Sequence, residues 1–319
     1  MASQEYRIDR RLLCLGAAAV LCIAAYMTIG LRGNIGFVLT LRATKLVALL
    51  QVSVSIAIST VIFQTVTNNR ILTPSIMGLD ALYTFGQILL VFALGGLGYA
   101  ALDAQLKFGG EVLLLMALAT GLLLPMLKRG TDMGLMLLAG VIFGVLFRSL
   151  QSLLARLVDP NDFAVAQSAS FANFNDVRTD LLILATVFTV IATVIAWRAR
   201  HMLDIVALGA DSATGLGVTW TKTVTGLLLL VSALVAVSTA LVGPVAFFGL
   251  LVVAIAERIV DTRRHALLMP AAALTAIVIL VGGQTLFQHG LGNSSTLGVV
   301  IEFAGGLAFL ILLFLGSRR

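Results

Sequence analysis

Lys222 and Thr223 carry the side chains with which a phosphate-binding loop holds a nucleotide, but the residue before them is Thr221. Such a loop needs glycine there to close its backbone on the phosphates, so no nucleotide cradle forms. His201, His265 and His289 are widely separated and none opens an H-E-x-x-H pair, which excludes a metalloprotease and leaves no metal-ligand set. No serine sits in a G-x-S-x-G elbow. Gly96-Leu97-Gly98 begins like a dinucleotide fingerprint but ends an apolar run instead of following a strand, and so marks close helix packing. Cys14 and Cys22 stand eight residues apart, about 12 Å along a helix, too far for a disulfide. With no constellation for covalent chemistry, the function must lie with groups that bind and move.

The groups left over are polar residues set in apolar surroundings. Gln51, Ser55 and Ser59 recur every four residues and share one helix face. A stripe of this kind either glues helices together or lines a hydrated pathway. Gln64, at the end of the same run, fits either use. Arg148 and Glu302 are the ionisable residues that fall inside apolar runs. They serve either as a structural pair or as part of a pathway. Carboxylates near a midplane are what a proton- or sodium-coupled carrier needs, and their scarcity argues for another energy source.

The elements that hold these residues follow from composition. Of the 319 residues 60% are hydrophobic and 11% charged, and the mean hydropathy is +1.07. One soluble core cannot hide that much apolar surface. Long continuous runs such as Leu12 to Leu31 and Thr221 to Val242 are helical spans, because barrel strands would alternate. A window of roughly 20 residues predicts an all-α integral membrane protein, a single transmembrane domain over 1–319. Its ten spans fall near 11–31, 44–66, 78–99, 111–127, 132–156, 179–198, 220–242, 245–260, 266–287 and 297–316. With both termini in the cytoplasm, fourteen Lys and Arg fall on the inner side and six on the outer, and Arg148 completes the 21. The net charge of +6 is therefore topological rather than a nucleic-acid footprint. The outer six are Arg32, Arg42, Lys45, Lys107, Arg156 and Arg178.

Two breaks punctuate the pattern, Thr73-Pro74 to Gly78 on the inner side and Gly243-Pro244 to Gly249 on the outer. Lying five spans apart on opposite faces, they suggest an inverted repeat. Thr73 is placed to cap a helix that Pro74 begins. The inner loop 199–219 is long and moderately apolar for a connector. Glycines bracket a short segment there, with Asp211 and Ser212 available as caps, which suits a small helix laid into a partner's groove.

These residues, in this order, resemble the FecCD family, the permeases of ATP-driven importers for iron–siderophores, haem and cobalamin. Leu208-Gly209, Ala213 and Leu216-Gly217-Val218 look like the family's coupling loop onto its ATPase. Gly243-Pro244-Val245-Ala246-Phe247-Phe248-Gly249-Leu250 is similar to its G-x-I-x-F-x-G-L segment, with Arg258 closing that span. Gln64, Asn69, Pro74 and Gly78 fall where the family has a glutamine, an asparagine, a proline and a glycine. The chain departs from the family at Arg42-Ala43-Thr44-Lys45, where R-x-P-R is usual, at Asn69-Arg70-Ile71-Leu72, where N-P-L-A is usual, and at Ala254 to Arg258, where P-H-I-x-R is usual. Arg70 to Gly78 looks like the second permease of systems for catecholate-type ferric siderophores.

The resemblance implies a type II importer fold with an inverted repeat in the bacterial inner membrane. The expected partners are a second, different permease, two ATPase subunits holding ATP and Mg²⁺, and a periplasmic or lipid-anchored substrate-binding protein. This chain binds no cofactor in that reading. Leu208, Gly209, Asp211, Ala213, Leu216 and Gly217 would couple to the ATPase, and Arg42 and Lys45 would dock the binding protein. Haem or cobalamin as cargo, and ion-coupled secondary transport, are the alternatives.

Overall fold

The computed structural model describes residues 2–31, 34–128, 133–174, 177–290 and 297–316. Of the basic residues used for orientation, Arg32, Arg129, Arg318 and Arg319 lie outside the described residues, as do the side chains of Arg7 and Lys128. All regular structure among the described residues is helical: α1 (Ala2–Thr28), α2 (Ile35–Thr67), a 3-10 turn (Pro74–Met77), α3 (Leu79–Ala101), α4 (Ala104–Lys128), α5 (Met133–Ala155), α6 (Pro160–Ala169), α7 (Thr179–Arg198), α8 (Arg200–Val206), α9 (Ala210–Gly215), α10 (Trp220–Val242), α11 (Phe248–Val260), α12 (His265–Gly290) and α13 (Leu297–Gly316). Each of the ten expected spans carries one helix, and α6, α8 and α9 lie in connections. Seven of the ten are long and apolar enough over their described residues to cross a membrane. Among the others, α11 has only 13 residues, in keeping with the short span expected after Gly243-Pro244.

Burial sorts the helices. The apolar windows of α2 and α10 are 78% and 67% buried, against 11% for α1 and 28% for α7. Two continuously apolar helices therefore form the centre, and the amphiphilic demand usual in water is absent because lipid accepts the outer faces. α2 is longer than its expected span, starting at Ile35 with Asn34 as N-cap and stopping where Asn68 turns left-handed at φ 47°.

The packing also shows the repeat. α2 packs along α12 and α10 packs along α4, while α2 and α10 pack on each other. Exchanging the second span with the seventh and the fourth with the ninth thus maps these pairings onto one another, while α1 and α7 pack differently. Helices five spans apart in an alternating bundle run in opposite directions, so the repeat is inverted. The breaks obey the same exchange. After α2, Gly78 comes so close to α5 that a Cβ would sit 2.8 Å from the backbone of Gly144. After α10, Phe247 packs on Gly305 of α13, where a Cβ would lie 2.6 Å from the Phe247 side chain.

Candidate functional site

The loop at 199–219 folds into two short helices rather than the one expected. α8 buries Leu203 and Val206 against α12 and α2. α9 buries Ala213 completely and leaves its two flanking leucines, Leu208 and Leu216, 59% and 62% exposed. Gly209 and Gly217 bound α9 at φ +92° and +86°, conformations that side chains disfavour. Neither has a neighbour where a Cβ would stand, so the turn alone demands glycine. Gly209 takes the cap position expected of Asp211 or Ser212, and both of those lie inside the helix, Asp211 in its first turn, where a carboxylate suits the helix dipole. The loop thus presents a rigid knob with two outward leucines, apolar surface that a protein partner is suited to cover.

In the middle of the bundle the two breaks meet. Thr73 occupies the expected N-cap position, but its hydroxyl makes no capping bond; instead it points across the repeat to Ala246 O at 3.5 Å. Irregular backbone inside a membrane protein is tolerated where protein encloses it or where it lines a cavity. Charged groups collect at this meeting point. Arg148 on α5 sits beside the Gly78–Gly144 contact, 3.2 Å from where a Gly144 Cβ would be. Glu302 on α13 accepts the backbone N–H of Ala246. Both lie within electrostatic reach of Asp80, whose carboxylate oxygens are buried beside Ser75. The structure therefore brings Arg148 and Glu302 together around a third charged residue. Asp80 escaped the sequence reading because it stands two residues inside a span's expected edge.

A second correction concerns Glu111, read as the edge of a span and not as an ionisable group within it. It is 8% exposed and accepts Gln87 Nε2 at 2.7 Å. Gln87 Oε1 in turn accepts Tyr99 OH at 2.6 Å, and Lys107 donates to that hydroxyl while covering its ring at 3.8 Å. The carboxylate is thus held in a network that joins α3 to α4. Near it, α3 breaks its helical path at Gly95, and Asp162 of α6 lies against Gly96. Of the glycines at 96 and 98, Gly96 does mark the close approach of another helix, α6, whereas a Cβ at Gly98 would meet only Leu94 of its own helix.

The stripe on α2 faces α7. Gln51 Nε2 donates to Thr189 Oγ1 at 2.9 Å and Ser55 Oγ meets the same hydroxyl at 3.2 Å. Ser59 bonds to Ile56 O at 3.1 Å within its own helix. Gln64 Nε2 holds Arg70 O at 2.8 Å and so folds the turn after α2. In this conformation all four are buried and bond inside the chain, except that Gln51 Oε1 is buried without a partner. Arg42 is also buried, 6% exposed, with its guanidinium on Tyr26 O, Ile29 O and Gly30 O at 2.8, 2.7 and 3.4 Å. It finishes the last turn of α1, a role its outer-loop position did not reveal. Lys45 lies one turn further along α2 and is half-buried.

The FecCD transport family model matches residues 22–315. The chain is 40% identical over 308 residues to the petrobactin import system permease protein YclO of Bacillus subtilis (strain 168), covering 96% of this chain and 98% of that one. It is 30% identical over 278 residues to the petrobactin import system permease protein FatC of Bacillus anthracis, covering 85% and 77%. Among solved structures, an inward-facing conformation of a metal-chelate type ABC transporter superposes with a TM-score of 0.82 at 19% identity, over 96% of this chain and 99% of that one. A multi-pass inner-membrane bundle with these matches has one assignment: the chain belongs to the FecCD transport family, the permease subunits of ABC importers, in which ATP is hydrolysed by separate ATPase subunits.

Proposed function

We propose that this permease carries a ferric siderophore across the inner membrane and takes its energy through α9. The observation that carries the reading is the pair of exposed leucines, Leu208 and Leu216 at 59% and 62%, on a glycine-bounded helix whose Ala213 is fixed in the protein. An importer's ATPase needs such a contact, small and rigid on the permease side. Gly209, Asp211 and Gly217 shape it. Two ATPase subunits, holding ATP and Mg²⁺, lie at this end, which is the cytoplasmic one; the charge bias sets both termini there. This chain itself holds no cofactor.

Cargo and remaining partners follow from the relatives. Two of them are permeases of petrobactin import systems, which supports a ferric siderophore over haem or cobalamin. The resemblance of Arg70 to Gly78 supports a catecholate-type chelate and a second, different permease beside this one. A substrate-binding protein delivers the chelate at the α6 end. There Arg42 shapes the mouth by fixing the end of α1, and Lys45 supplies charge for docking.

In a reconstituted importer, Leu216→Asp is expected to abolish uptake and co-purification of the ATPase while the permease still inserts. Unchanged uptake and co-purification would overturn the assignment of α9. Competition among iron complexes of petrobactin, enterobactin and a hydroxamate checks the cargo: uptake inhibited by the hydroxamate alone would remove the catecholate reading.

A further inference from the structure

His265 opens α12 with its side chain only 3% exposed, and both ring nitrogens have partners on other helices. Nδ1 donates to Asp204 Oδ1 of α8 at 2.6 Å, and the same oxygen accepts the His265 backbone N–H at 3.0 Å. Nε2 meets Thr65 Oγ1 of α2 at 2.7 Å, whichever of the two holds the proton. One imidazole therefore ties α8, α12 and α2 together where α8 leads through Gly209 into α9. Apolar packing lets helices slide past one another, but directional hydrogen bonds fix their register.

Helices α2 and α12 are tied again, with the end of α1, at the opposite end of the bundle. Arg42 of α2 donates to Ile29 O at 2.7 Å, and His289 of α12 shares that carbonyl at 3.0 Å. Between the two ties, α12 packs along both α1 and α2. Beyond Leu79, which joins the core of α2 and α12, α3 packs with α6 in a cluster of its own around Ile88, Val91, Tyr99 and Ala166.

We propose that α1, α2, α8 and α12 move as one body during transport, and that His265 is the positioning residue that passes a displacement of α8–α9 to α2 and α12. The inference rests on α9 being the ATPase contact. A push on α9 reaches α8 across the Gly209 turn. The Asp204–His265–Thr65 chain then converts that push into movement of the two helices that extend to the α6 end. Without the chain, α8 can tilt on its apolar face and the stroke is absorbed locally.

The test uses the assembled importer and reads ferric siderophore transported per ATP hydrolysed. His265→Ala is expected to keep the ATPase bound and hydrolysing while this ratio falls about tenfold, within the usual range of a coupling between two sites. Asp204→Asn, whose amide oxygen still accepts from His265, should retain most of the ratio, and Asp204→Ala should lose it. An unchanged ratio in His265→Ala, or uptake that falls only in step with assembled protein, would overturn the proposal and leave a plain structural tie. A second measurement needs no loss-of-contact variant. Spin labels at Met202 on α8 and Leu286 near the far end of α12 should keep one separation with and without ATP, and a changed separation overturns the single body. If Leu216→Asp still retains the ATPase, α9 is not the contact and the reading beneath the inference fails instead.

Discussion

An arginine at the edge of a bilayer must find acceptors for its N–H groups, and Arg42 finds them in the carbonyls that α1 leaves open at its end. Removing it would strand buried carbonyls, each worth about 1–3 kcal/mol. Arg42→Gln is therefore expected to destabilise the permease by about 3 kcal/mol, as a lower melting temperature in detergent that does not respond to salt. Lys45→Glu should raise the binding-protein concentration needed for half-maximal uptake. That second effect should fade as salt rises, since exposed charges are screened over roughly 8 Å at physiological ionic strength. Equal salt dependence in both variants would put Arg42 back among the docking groups. The sequence shows where such residues stand but not which way they point. Gln51 and Thr189 are 138 residues apart, Asp204 and His265 are 61, and nothing local to either partner announces the other. Asp80 and Glu111 were missed for a related reason. Each lies within a few residues of a span's expected edge, where a carboxylate is ordinary, and only the packing of neighbouring helices buries it.

At the scale of elements, the helices of the ten expected spans were legible because hydrocarbon demands length and continuous apolarity, and most of them write both in the chain. The short helices were not. α6 and α8 have 10 and 7 residues, too few for a periodic signal, and α8 is fixed by tertiary packing of Leu203 and Val206 rather than by propensity. The breaks were visible through their proline and glycines, although their meeting at Thr73 and Ala246 was not. Gly78 is the tightest point of this arrangement: it has φ +86° and backbone-to-backbone contact with Gly144. Alanine there adds left-handed strain of about 1 kcal/mol to an overpacking cost of roughly 1–3 kcal/mol. Gly78→Ala should therefore fold poorly, with a clear drop in melting temperature. Gly209, at φ 92° and ψ 169°, meets no neighbour, so Gly209→Ala carries only backbone strain of about 1–3 kcal/mol, confined to the α8–α9 turn, and should lower the melting temperature less while weakening ATPase coupling. If the two variants melt alike, the contact between the first break and α5 is not a structural constraint.

For the whole molecule, the energy source and the partner are read from what the bundle leaves unsatisfied. The buried carboxylates Asp80 and Glu111 remove the argument that ion coupling lacks candidate groups, so the case for ATP rests on family membership and on α9. With ATP supplied inside proteoliposomes bearing the complete importer, a protonophore should leave uptake unchanged, and Glu111→Gln should transport like the parent; dependence on a proton gradient would restore the ion-coupled alternative. Pairing is argued from α5. Its exposed face carries Leu138, Val141, Ile142, Val145 and Leu146 together with an exposed Arg148. A guanidinium on a lipid-facing helix is costly, so this face belongs against protein or a hydrated pathway. A two-fold pair of identical chains would repeat the same patch on both sides of one seam and bring a second Arg148 to it, each beside its own Asp80, whereas a different permease need not repeat the guanidinium. This chain expressed with its ATPase but without another permease is thus expected to remain inactive and largely unpaired, and co-expression of the second permease should restore both assembly and uptake. An active homodimer would show that the α5 face tolerates its own charge, and Arg148→Gln should then leave that homodimer's stability unchanged.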